Sequence, residues 1–154
     1  MKGRKLMENR ERLTLAKRQA IILFVCFSIP FSIINFNAYL KGSIPSVHQA
    51  LFSVLFLLVL FLCAFYMSKK NTGIFKASSW YWGVGALLSV TGYFGGIGFI
   101  FIPVAVIFAG PLYGLRYFID IPSDIYLILL CIVIAYVVCI FGWWIGKTNK
   151  RKTV

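Results

Sequence analysis

Few side chains in this sequence are of a kind that does chemistry, and several of those fall in two short polar connections. His48 is the only histidine, and Asp120 and Asp124 are the only aspartates among four acidic residues. Arg116 stands one helical turn before Asp120. A histidine beside carboxylates and a guanidinium is a set that can do acid–base work or hold a metal ion. Each also has a plainer reading. Asp124 has the position of a helix N-cap, Asp120 is spaced to pair with Arg116, and His48 falls in the first turn of an apolar helix. The plainer readings are the expectation: no catalytic residue, no metal, no cofactor and no enzyme.

Asn35 and Asn37 are the most polar residues inside any apolar run, with Ser28, Pro30 and Ser32 one to two turns earlier. They are candidates to line a polar cavity or to make a hydrogen bond between helices. Gly85, Ser89, Gly92 and Gly96 recur at i, i+4, i+7 and i+11, which puts small residues on one helix face where another helix can come close. Gly110 with Gly114, and Gly142 with Gly146, repeat the spacing. Packing inside one bundle is the plain reading of these stripes, and contact with another protein or another copy is the alternative. The stretch from Gly92 to Gly98 superficially resembles a phosphate-binding loop, but no strand precedes it.

Two further sets are informative by position. Cys26, Cys63, Cys131 and Cys139 each sit inside an apolar run without metal-like or redox-like spacing, and read as small hydrophobes. The acids Glu8, Glu11, Asp120 and Asp124 all lie outside the apolar runs. Coupled transporters usually bury an ionisable group, so the pattern argues against ion-coupled transport by one chain.

The elements that carry these residues follow from composition. Of 154 residues, 60% are hydrophobic and only 13% charged, against about a quarter charged in soluble domains. The net charge of +12 would suit nucleic acid in a soluble protein. Here the basic residues flank long apolar runs, where they orient insertion into a bilayer, and nucleic acid is not expected as a partner. Anionic lipid is expected at the basic ends.

Four spans are expected, near residues 19–40, 47–68, 83–109 and 125–145. A basic arm, 1–18, precedes the membrane domain of 19–146, and a basic tail, 147–154, follows it. Ser46 and Gln49 have the spacing of a capping box that opens the second span, and Ser123 or Asp124 caps the fourth. The third is the ambiguous one. Residues 79–115 carry no charge, and as one helix they would measure about 55 Å, too long for a single crossing. Gly95, Gly96, Gly98 and Pro103 offer places to break it, so the spacing predicts a kinked span with Trp80, Tyr81 and Trp82 at the inner interface. A re-entrant segment is the alternative, provided that its non-helical backbone is buried in protein.

With four spans, fourteen of the sixteen basic residues fall on one side, leaving Lys41 and Arg116 on the other. A five-span threading divides them far less unevenly, so positive-inside counting selects four. The expected fold class is an all-α integral membrane protein of four transmembrane helices in two helical hairpins, with both termini cytoplasmic. Ile29-Pro30 and Ile44-Pro45-Ser46 recur as Ile102-Pro103 and Ile121-Pro122-Ser123, although coincidence explains such common residues better than a repeat does.

Function is expected to follow from helix faces. The leading expectation is a non-enzymatic accessory, regulatory or protective membrane component with a membrane-protein partner or self-association. A small transporter, channel or lipid-handling oligomer is the alternative. Richness in Ile, Phe and Lys suits a low-GC bacterium, hence a multi-pass protein of a bacterial plasma membrane.

Overall fold

A computed structural model describes residues 2–69, 73–119 and 125–152, and no strand occurs among them. Five α-helices follow in order: α1 Lys2–Lys41, α2 Val47–Lys69, α3 Ile74–Phe94, α4 Gly98–Phe108 and α5 Ile125–Lys152, with a 3-10 segment, Gly110–Tyr117, after α4. Arg18–Lys41 within α1, α2, and Ile125–Asn149 within α5 are long and apolar enough to cross a membrane, and the bent pair of α4 and the 3-10 segment would make a fourth such unit. This is the architecture of an all-α membrane protein. α3 has the length of a crossing, at 21 residues, but Lys76, Ser78, Ser79, Ser89 and Thr91 make it more polar.

The helix ends are set by local chemistry. α1 closes in a Schellman motif: Gly42 takes φ 60°, its N–H reaches the Tyr39 carbonyl at 3.1 Å, and the Ser43 N–H reaches Ala38 at 3.1 Å. The capping box opens α2, with the Ser46 N–H on Gln49 Oε1 at 2.8 Å and the Gln49 N–H on Ser46 Oγ at 3.4 Å. α3 ends as α1 does. Gly96 has φ 64°, its N–H meets Tyr93 O at 3.3 Å, and the Ile97 N–H meets Gly92 O at 3.0 Å. A left-handed residue there costs glycine nothing and other residues about 1 kcal/mol or more.

That stop corrects the expected third span of 83–109. The chain makes one helix up to Phe94, turns through residues 95–97, and α4 then doubles back along α3. A methyl group on Gly92 would meet Phe101 and one on Gly85 would meet the Phe108 ring, an antiparallel register. The second half is therefore not a simple hairpin. Gly96, expected on the small-residue stripe, belongs to the turn instead and is exposed.

α1 and α2 are antiparallel, joined by Asn35 to Ser53 at 3.2 Å and by the Phe31 and Phe56 rings at 5.3 Å. α3 and α5 are also antiparallel, with Phe75 on Trp143 at 4.9 Å and Ser79 on Tyr136 at 2.9 Å. α2 and α5 run parallel and form the most extensive helix pair. Gly142 lies on the Phe61 carbonyl and Gly146 on that of Phe65. One end of the bundle thus holds Arg18, Lys69, Lys76 and Lys147, here called the basic end, and the far end holds Lys41 and Arg116.

Tyr81, Trp82 and Phe108 make the aromatic centre, with Tyr81 on Phe108 at 4.7 Å and on Trp82 at 4.9 Å. Trp82 is 2% exposed and Trp80 is 71% exposed. Only Trp80 of the expected interfacial trio faces outward, because Phe108 of α4 lies against both of the others and Phe24 of α1 against Tyr81.

Close approach gives a direct test. A methyl group on Gly114 would strike the Gln49 carbonyl and Ser53 Oγ, whereas one on Gly83 would meet nothing within 4 Å. Gly114→Ala should lower unfolding stability in detergent by about 1–3 kcal/mol through overpacking. Gly83→Ala should leave stability unchanged or slightly raised, and equal effects of the two would contradict this packing.

Candidate functional site

The position where the chain departs from regular helix is the bend between α4 and the 3-10 segment, where the two axes differ by 68°. Pro111 brings no N–H to this turn, so a carbonyl one turn earlier loses its helical donor. The 3-10 run then lasts eight residues, longer than the three or four that are common for that geometry. Gly110, Pro111, Leu112, Tyr113 and Gly114 are all buried, wedged between α1 and α2.

Side chains of α1 and α2 donate to other carbonyls around this bend. Ser32 Oγ donates to Val106 O at 2.7 Å. Asn35 Nδ2 donates to Gly110 O at 2.9 Å and also reaches Pro111 O and Ser53 Oγ, both at 3.2 Å. Ser53 Oγ donates to Pro111 O at 2.8 Å. Two amide protons are thus shared among three acceptors, and the serine relays one bond onward. Asn35 is fully buried, and its Oδ1 has no hydrogen-bond partner. An orphaned buried acceptor costs about 1–3 kcal/mol, a penalty set against the carbonyls that the same side chain satisfies.

The far end of the segment is tied to the α1–α2 turn. Arg116 Nη1 donates to Gly42 O at 2.6 Å and to Tyr113 Oη at 2.8 Å, and Tyr113 Oη donates to Ser43 O at 3.1 Å. Tyr113 also meets the Tyr39 ring edge-on at 5.2 Å. This clasp makes Tyr113 part of the core, fully buried. Sequence reasoning had no signal for the clasp, since its acceptors on the α1–α2 turn are main-chain atoms.

The other candidates are dispersed. Asn37 is exposed, two residues from Asn35 and on another side of α1. His48 is exposed in the first turn of α2. Asp120, Asp124 and Ser123 lie outside the described residues, so the expected pairing of Asp120 with Arg116 and the cap on α5 do too. Among the described residues no three His, Cys, Asp or Glu side chains gather as a metal site would require. Gly85, Ser89 and Gly92 are buried against α4, and Ser89 Oγ donates to Gly85 O within its own helix at 2.7 Å.

What this arrangement does chemically is hold irregular backbone inside a helical bundle. In hydrocarbon such backbone survives only where protein or water pairs its polar groups. Compared with known proteins, the chain matches no family model, no curated protein and no solved structure. The class it defines on its own features is an all-α membrane protein with three to four membrane-length units.

Asn35→Ala should cost about 1–3 kcal/mol of stability, because it removes the buried side-chain donor from the Gly110 carbonyl and leaves Pro111 to Ser53 alone. Asn37→Ala, at an exposed position, should stay within about 0.5 kcal/mol of the parent. Reversible unfolding in mixed micelles measures both, and similar losses would remove Asn35 from its role at the bend.

Proposed function

We propose that the chain is a multi-pass protein of a bacterial plasma membrane, and a non-enzymatic accessory, regulatory or protective component that acts on another membrane protein. In this reading α1, α2, α3 and α5 cross the bilayer, while α4 and the 3-10 segment are re-entrant. Both termini are cytoplasmic. Charge supports that orientation: the basic end collects Arg18, Lys69, Lys76 and Lys147, against Lys41 and Arg116 at the far end, as positive-inside insertion demands. The arm and tail at that end would rest on anionic lipid.

Depth supports the re-entrant assignment. Ser32, which holds Val106, lies about 14 Å along α1 from Lys41. That is near the middle of a hydrocarbon core of about 30 Å.

The observation that carries the functional reading is the treatment of α4. It adds no crossing, yet Ser32, Asn35 and Ser53 all serve to hold its inner end. Its outward face is apolar, with Phe99 80% and Ile102 53% exposed, and Phe94 stands exposed beside it at the turn. A helix anchored inside and apolar outside is built to present a surface, and the occupant that fits is an apolar helix of a partner or of a second copy. The transporter or channel alternative would need polar groups open to a pathway. Those at the bend are buried and their donors are engaged with backbone carbonyls, so purified protein in proteoliposomes is expected to be inert in flux assays.

Two outcomes check this. A cysteine placed at exposed Ile44 should react with an impermeant reagent from outside intact cells, and one placed at Thr148 only after lysis; the reverse pattern would invert the threading. A photo-crosslinking residue at Phe99 or Ile102 should give a discrete protein adduct that is missing at Leu55 and Leu58, exposed on α2. Lipid adducts alone at all four positions would end the partner reading.

A further inference from the structure

The outward side of α3 has a feature that neither the bend nor α4 uses. Lys76, Trp80, Gly83 and Leu87 recur at i, i+4, i+7 and i+11, one stripe of the helix. Two clefts meet on it. One, of about 340 Å³, is lined by Ser79, Trp80, Gly83, Val84 and Leu87. The other, of about 250 Å³, lies toward α5 and is lined by Ser79, Trp82, Gly83, Ala86, Ile132, Val133 and Tyr136. They share Ser79 and Gly83, and a methyl group on Gly83 would touch nothing. Gly83 is thus the floor of a forked groove rather than a packing contact.

Size selects the occupant. Both clefts are shallow and open to the outer face of the bundle, so a flexible chain can lie along them, whereas a whole α-helix, about 10–12 Å across with its side chains, would only rest over them. A methylene is close in size to a water molecule, whose share of the liquid is about 30 Å³, so each cleft holds a run of methylenes. Two clefts joined at one point suit the two chains of a single diacyl lipid.

Charge selects the headgroup. Lys76 lies on the same stripe, about 10 Å from Gly83 along α3 toward the basic end. It is exposed. Lys69 and Lys147 at that end instead lie over the Phe65 and Trp143 rings, at 4.3 Å and 4.9 Å. Trp80, between Lys76 and Gly83, is exposed with an indole N–H, the side chain that favours a membrane interface. The Ser79 and Tyr136 hydroxyls, 2.9 Å apart, are bonded together at the fork, and Ser79 Oγ also donates to Phe75 O at 2.9 Å. Their protons are engaged, which leaves Lys76 and Trp80 to meet the polar end of the lipid.

We infer that the α3–α5 groove is a binding site for one anionic diacyl phospholipid of the cytoplasmic leaflet, with a chain on each side of Gly83 and the phosphate at Lys76. The site rests on the membrane reading above, but not on the α4 partner. The test uses full-length protein in detergent, mixed with dioleoyl phosphatidylglycerol or dioleoyl phosphatidylcholine and examined by native mass spectrometry. One phosphatidylglycerol should be retained in preference to phosphatidylcholine by about five-fold, the factor that one basic residue near an anionic surface supplies.

Lys76→Ala should abolish the preference, and Lys69→Ala should keep it. Gly83→Leu should fill the fork and release either lipid, with a melting profile like that of the parent showing that the fold survives. Equal retention of both lipids by the parent, or retention unchanged in Lys76→Ala or Gly83→Leu, would overturn the site. So would a lipid-free dimer that Gly83→Leu makes monomeric, since a second copy would then cover the groove. Carbonate extraction of cell membranes reads the membrane assignment separately: a chain that is extracted fails there, whatever its lipid binding.

Discussion

Backbone that leaves the helical ladder away from water must find donors and acceptors in the protein, and this molecule is arranged around one such place. Main-chain oxygens of residues 106, 110 and 111 point toward α1 and α2, and three short polar side chains answer them. Remove that pairing and α4 has no reason to stop where it does, nor has the 3-10 segment a reason to pass between two helices. The small residues follow from the same demand. Gly110 lies on Ser32 and Gly114 on the Gln49 carbonyl, because donors this short reach a backbone only if it comes close.

The same economy runs through the interior. Ser28, Ser32, Asn35, Ser53, Ser68, Ser78 and Ser89 are buried, and several join one element to another. Ser28 meets Tyr81 at 3.3 Å and Ser68 donates to Trp143 O at 2.8 Å. Such bonds between apolar helices contribute modestly, about 0.6 kcal/mol on average, but they are directional. Apolar contact alone would let helices rotate or slide, and a serine held to one particular carbonyl fixes the register. Polarity points inward here, and the outside is left to Leu, Ile, Phe and Val.

Much of this could be read from the residues, and the rest failed for identifiable reasons. The start of α2 at Val47 lies where the apolar run meets the capping pair of Ser46 and Gln49, a signal that acts locally. The third run misled because glycine has two uses. Gly85 and Gly92 serve close approach, whereas Gly96, four residues further on, serves a left-handed turn, and composition does not separate these roles. Asn35 stood out by polarity, but its partners are carbonyls about 75 residues away, which no spacing rule finds. Trp82 looked like an interfacial residue because it sits near the start of an apolar run, yet it is buried against Phe108 of α4. Gly83 drew no notice, since an open glycine differs from a packed one only in what surrounds it.

The parallel pairing of α2 with α5 has a consequence for how the molecule is made. The helix that contributes most to covering α2 leaves the ribosome only after α3 and α4. Chains are synthesised at about 5–20 residues per second, so α2 waits several seconds for its main neighbour, its Phe61 and Phe65 carbonyl faces meanwhile uncovered by Gly142 and Gly146. Assembly therefore waits on α5, and a nascent chain interrupted before it leaves the widest seam of the bundle unsealed.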